Sequence, residues 1–94
     1  MIVGWTPLAV AHLQSAWEYI SRDSSASADS LIERIFGAVE RLQQYPQLGR
    51  AGRVDGTREL VITGTPFIVA YREHRNQVQI LAVLYGSQKW PERL

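Results

Sequence analysis

The chain has 94 residues, 46% hydrophobic and 20% charged, which excludes an intrinsically disordered segment and implies one sizeable core, so residues 1–94 are expected to form a single domain. It has no cysteine, which excludes a disulfide framework, a thiolate nucleophile and any cysteine-ligated zinc or iron–sulfur centre. The formal net charge of +1 hides an asymmetry: three arginines face five carboxylates up to Gln44, whereas seven basic residues, six of them arginine, face four carboxylates from Tyr45 onward. A basic C-terminal half suits a nucleic-acid or acidic-protein partner.

Residues 1–7 offer neither a basic nor a long apolar signal region, and no apolar run reaches bilayer length. The expectation is a cytoplasmic protein with no membrane partner. Residues 2–5 form a short apolar strand that ends at Thr6-Pro7, a helix N-cap followed by proline at the first helical position. From residue 7 to about 22, Val10, Leu13, Trp17 and Ile20 recur at steps of three, four and three and predict one apolar helical stripe. A polar break follows. Ser27 or Asp29 is expected to cap a second helix with the stripe Ala28, Leu31/Ile32, Ile35/Phe36, Val39 and Leu42, stopped by Pro46.

Residues 46–56 contain Gly49, Gly52 and Gly56 without periodicity and read as a loop. Strands are predicted over 58–63, 67–72 and 78–85, the last nearly all apolar and therefore central. Gly64-Thr65-Pro66 and His74-Arg75-Asn76 supply the turns, and short connections imply antiparallel neighbours. The tail, with Trp90-Pro91, is irregular; Trp5, Trp17 and Trp90 are read as packing residues. The fold class is α+β: an N-terminal strand and an αα-hairpin packed on one face of a small antiparallel sheet, whose other face is free for function.

Order and residues together resemble the RelE/ParE superfamily. The resemblance rests on Trp5-Thr6-Pro7-Leu8-Ala9 at the strand–helix junction, Arg41-Leu42-Gln43-Gln44-Tyr45-Pro46 after the second helix, and the glycine- and arginine-rich stretch from Gly49 to Thr57. It continues through Gly64-Thr65-Pro66-Phe67-Ile68-Val69-Ala70-Tyr71-Arg72 and Ile80-Leu81-Ala82-Val83-Leu84-Tyr85-Gly86, then Gln88-Lys89-Trp90-Pro91. The resemblance implies the toxin of a bacterial type II toxin–antitoxin pair, neutralised by a small cognate antitoxin. One branch, ParE-like, inhibits DNA gyrase by binding; another, RelE-like, cleaves mRNA on the ribosome without a metal; other members have weak or unknown activity, which leaves an inactive interaction module as a further reading of this chain.

Metal-free RNA cleavage needs a base, an acid and cationic clamps around one phosphate. For that chemistry the catalytic candidates are Arg58, Arg72 and Tyr85, with Arg50, Arg53 and Lys89 as target- or nucleic-acid-binding residues. Arg58 and Glu59 alternate along a strand, point to opposite faces and are not expected to act together. His12 lies beside the first helical stripe and His74 in a hairpin turn, poor positions for catalysis. Tyr85 stands where the resemblance implies histidine, and the last strand has no basic residue, so the reading leans towards gyrase inhibition, with mRNA cleavage second. No metal-ligand spacing, nucleotide-binding glycine fingerprint or serine nucleophile elbow is present, and neither metal nor cofactor is expected.

Overall fold

Thr6 divides strand from helix as its chemistry requires. In the computed structural model, which describes residues 1–86 and Pro91, its side-chain oxygen accepts from Ala9 N at 3.3 Å and donates to the Ile80 carbonyl at 2.9 Å. One hydroxyl therefore caps the first helix and ties it to the last strand. The elements in chain order are β1 (Ile2–Trp5), α1 (Pro7–Ser21), α2 (Ser25–Glu40), a 3-10 turn at Arg41–Gln43, β2 (Arg50–Ala51), β3 (Arg58–Val61), β4 (Phe67–His74) and β5 (Gln77–Tyr85).

The buried side of α1 is Ala9, Leu13, Ala16 and Ile20, rather than the stripe drawn through Val10 and Trp17. Small residues at Ala9 and Ala16 let the helix approach the sheet closely, while Val10 is 49% exposed and Trp17 turns its indole N–H to Asp29 Oδ1 at 3.0 Å. The α2 stripe is buried as predicted at Ala28, Leu31, Ile35, Val39 and Leu42. Its N-cap is Ser24, which accepts from Ser27 N at 3.1 Å, one turn earlier than expected. That first turn is exposed and carries no apolar stripe, so periodicity could not see it. The helix tightens into the 3-10 turn well before Pro46.

The strands form one mixed sheet in the order β1-β5-β4-β3-β2, with β1 parallel to β5 and every other pairing antiparallel. The expectation of a purely antiparallel sheet is thus corrected at β1. That strand leaves through the helical hairpin, a connection long enough to permit a parallel partner. β4 and β5 meet through Arg75 and Asn76, both in the left-handed region with φ of 52° and 59°, the geometry of a tight two-residue hairpin turn.

Tyr71 pairs with Ile80 but Ala70 with Ala82, which leaves Leu81 as an extra residue in β5. This bulge reverses the alternation. Val78 and Ile80 face the helices before it, and Val83 and Tyr85 after it. Tyr85 thereby joins Phe67, ring centroids 4.4 Å apart. The main core lies between helices and sheet, and each fully buried aliphatic side chain there contributes about 1.5–3 kcal/mol.

The far face of the sheet is not free along its middle. Ile68, Ala70, Leu81, Ala82 and Leu84 are buried, with Ala70, Ala82 and Leu84 forming a second small cluster. Among the described residues no helix is long and apolar enough to cross a membrane.

Candidate functional site

The glycine- and arginine-rich segment from residue 46 to 57 is clamped from both faces of the sheet. Tyr71, fully buried on the helix side, donates its hydroxyl to the Pro46 carbonyl at 2.7 Å and accepts from Gly49 N at 2.8 Å. Burial raises the Tyr71 pKa above its ordinary 10.0; the Gly49 N–H and the nearby Arg58 charge act against this, and Glu73 with it. The hydroxyl thus stays protonated and available as a donor. Gly49 has to be glycine because a Cβ would lie 2.7 Å from Tyr71 Cε1 and 2.9 Å from the Glu59 carbonyl oxygen.

Arg58 sits directly opposite Tyr71 in the β3–β4 ladder, so it shares the helix-side face. Its Nη1 donates to the Gly49 carbonyl at 2.9 Å. The next residue, Glu59, points to the far face and is 3% exposed. Its Oε1 accepts from Arg50 Nη2 at 3.2 Å, and its Oε2 accepts from the Arg53 backbone N–H at 2.9 Å with Arg53 Nε at 3.6 Å. Arg53 then crosses towards β5, with Nη2 3.4 Å from the Gly86 carbonyl, and helps close the far face. Arg58 and Glu59 do act together, from opposite sides and on the loop rather than on a ligand. These ties hold residues 50–51 in register with 58–59 as β2, a strand the aperiodic segment did not announce.

Arg50, Arg53 and Arg72 share the far face with Glu59, because Arg72 follows Tyr71 in β4 and alternates away from the helices. Arg72 is exposed, and its Nε donates to Gln79 Oε1 at 2.8 Å. It sits diagonally from Glu59, about 7–8 Å along the sheet. Tyr85 lies elsewhere. It pairs with Phe67 at the other end of the β4–β5 ladder from the Arg72–Gln79 pair, roughly 17 Å away at strand rise, and faces the helices. There it lines an open cleft of about 220 Å³ with His12, Ser15, Tyr19 and Val83. Of the three catalytic candidates, Arg58 and Arg72 are on opposite faces and Tyr85 is at a third place. Lys89 and Trp90 fall outside the described residues.

Two residues that the sequence reading set aside as catalytic candidates have defined structural roles. Glu59 organises the arginine loop; strand alternation gave its direction, but its burial depends on a loop folded over it. His12 accepts the Val83 N–H on Nδ1 at 3.2 Å, filling a position beyond the end of β1 where, among the described residues, β5 has no strand neighbour on that edge. Burial lowers the His12 pKa below its ordinary 6.5, so the ring is neutral and its proton sits on Nε2. No local pattern links residues 71 positions apart. Among the described residues no three histidines or carboxylates gather as a metal site.

Comparison with known proteins adds the family context. The family model described as the ParE toxin of the type II toxin–antitoxin system parDE matches residues 3–90. The Y4kP protein of Sinorhizobium fredii is 40% identical over 92 residues, covering 98% of this chain and 95% of that protein. Toxin RelE2 of Caulobacter vibrioides is 29% identical over 86 residues, covering 92% and 96%. A solved structure of the chromosomal ParDE toxin–antitoxin system from P. aeruginosa superposes with a TM-score of 0.81 at 29% identity, covering 88% of this chain and 92% of that one.

Proposed function

The chain belongs to the ParE toxin family of type II toxin–antitoxin systems, and from that premise we propose that it arrests growth by binding DNA gyrase through its arginine-bearing far face. The observation that carries this reading is the dispersal of Arg58, Arg72 and Tyr85. An acid, a base and a cationic clamp must lie within hydrogen-bond reach of one phosphate for cleavage, and these three residues are on two faces and at two ends of the sheet. Inhibition by binding makes no such demand. It needs a rigid surface, which the clamped loop and Arg72 provide.

The antitoxin partner follows from the same family. We propose an acidic segment that covers the far-face arginines and the apolar flanks at Val10 and Phe36, which are 49% and 47% exposed. Any partner that binds only the folded toxin raises its melting temperature by mass action, so the complex melts higher than the toxin alone.

The deciding experiment adds the purified toxin to a gyrase supercoiling reaction and, separately, to translating ribosomes with mapped mRNA ends. Lost supercoiling with intact message is expected. Codon-positioned cuts that vanish in Arg72→Ala, with supercoiling intact, would overturn the gyrase reading in favour of ribosome-dependent cleavage. No effect in either reaction leaves an inactive interaction module.

A further inference from the structure

Glu59 is almost wholly buried, yet both oxygens of its carboxylate are used, and both on the arginine loop. Its partners are not buried with it: the Arg50 and Arg53 side chains are 58% and 47% exposed against 2% for Glu59. A guanidinium carries five N–H donors in a planar fork, so a carboxylate that engages one edge fixes the direction of the others. Arg50 meets Glu59 through a single Nη2, while more than half of its side-chain surface stays exposed to solvent. Glu59 also accepts the Arg53 backbone N–H, which fixes the chain at the start of the 52–57 turn as well as the side chain above it.

We propose that Glu59 is a positioning residue: it holds the Arg50 fork, and the Arg53 backbone beneath its side chain, at fixed angles for recognition of carboxylates on a protein partner. The proposal rests on the gyrase-binding reading and supplies the recognition chemistry for it. A protein carboxylate fits better than a nucleic-acid backbone. Glu73 alternates to the helix side, so among the described residues Glu59 is set against Arg50, Arg53 and Arg72 on this face, which leaves a net of two positive charges. A phosphate track requires several cationic contacts. A fork held in one orientation suits a bidentate carboxylate, because little side-chain freedom remains to be lost on binding.

The test is a double-mutant cycle with purified DNA gyrase as the probe, read as affinity alongside the melting temperature of each variant. Glu59→Gln preserves size and one acceptor for the Arg53 N–H. It is expected to weaken gyrase binding about tenfold in the otherwise unaltered chain, and by less than about twofold when Arg50 and Arg53 are already alanine. A general loss of structure would instead lower affinity equally in both backgrounds. Equal losses, or full affinity in Glu59→Gln alone, would overturn the proposal. Should Glu59→Gln prove insoluble, Arg50→Lys is an exposed change that keeps the charge and removes the fork; a similar tenfold loss is expected, and unchanged affinity would overturn the proposal. Failure of the unaltered chain to bind gyrase refutes the gyrase reading instead. The same cycle is then scored by growth arrest on induction, where Glu59→Gln must relieve arrest only while Arg50 and Arg53 are present. A loss of binding that tracks added DNA rather than gyrase would reject the protein carboxylate as ligand.

Discussion

Removing one oxygen atom at Tyr71 tests the view that the arginine loop is held from the helix side. Tyr71→Phe keeps the ring, which fills core volume, and deletes the hydroxyl that bridges the Pro46 carbonyl and the Gly49 N–H at 2.7 and 2.8 Å. The Gly49 N–H is buried, so leaving it without its acceptor carries the cost of an unsatisfied buried donor, about 1–3 kcal/mol. Pro46 is half-buried and its carbonyl recovers part of its hydration, so the combined destabilisation is expected to be about 2–3 kcal/mol. At about 4–8 °C per kcal/mol for a domain of this size, the melting temperature falls by roughly 8–24 °C. Urea unfolding followed by circular dichroism measures this, with an unchanged slope on denaturant confirming that the two end states are the same.

Alkaline pH gives a second reading of the same hydroxyl. Burial raises the Tyr71 pKa above 10.0, so its contribution is present below that pH and is lost as pH rises through the higher folded-state value. The phenylalanine variant lacks that part of the alkaline loss. Tyr45→Phe, at an exposed ring, is the control and should fall within about 0.5 kcal/mol of the parent. A Tyr71→Phe change equally small would refute the clamp.

Gly49→Ala places a methyl group 2.7 Å from Tyr71 Cε1 and 2.9 Å from the Glu59 carbonyl oxygen; a loss of about 1–3 kcal/mol is expected in chemical denaturation, and a parental midpoint would show that the loop is not closely held. His12 has a lowered pKa through burial, so its contribution is complete above the ordinary value of 6.5 and is lost as pH falls from there through the folded-state value. Protonation also sets a second N–H against the Val83 donor. Stability measured from about pH 7 down to pH 5 should therefore fall less steeply in His12→Gln than in the parent, and identical slopes would reject the α1–β5 contact as pH-sensitive.

The local elements were legible because each has a local cause. Thr6-Pro7 sets a helix start by capping and by a fixed φ. The α2 stripe repeats at helical spacing and is buried at the positions that spacing selects. Strands β3, β4 and β5 show β-branched and apolar runs between turn residues, with their ends shifted by one to two residues. α1 was read less well. Hydropathy favoured Val10 and Trp17, but contact with the sheet was decided by small size at Ala9 and Ala16, a steric choice that no hydrophobicity pattern encodes.

The sequence by itself determined the order of the elements, the α+β class and the arginine content of one loop, because capping, periodicity and composition act between near neighbours. Only the tertiary structure decided what those arginines do. β1 came to rest parallel to β5, and the Leu81 bulge turned Tyr85 towards the helices and away from Arg72. Alternation along β3 sent Arg58 and Glu59 to opposite faces, where both close on the same loop. Strand pairing and bulge register depend on contacts between residues far apart in the chain, so the face on which a charged side chain emerges is fixed only when the sheet assembles.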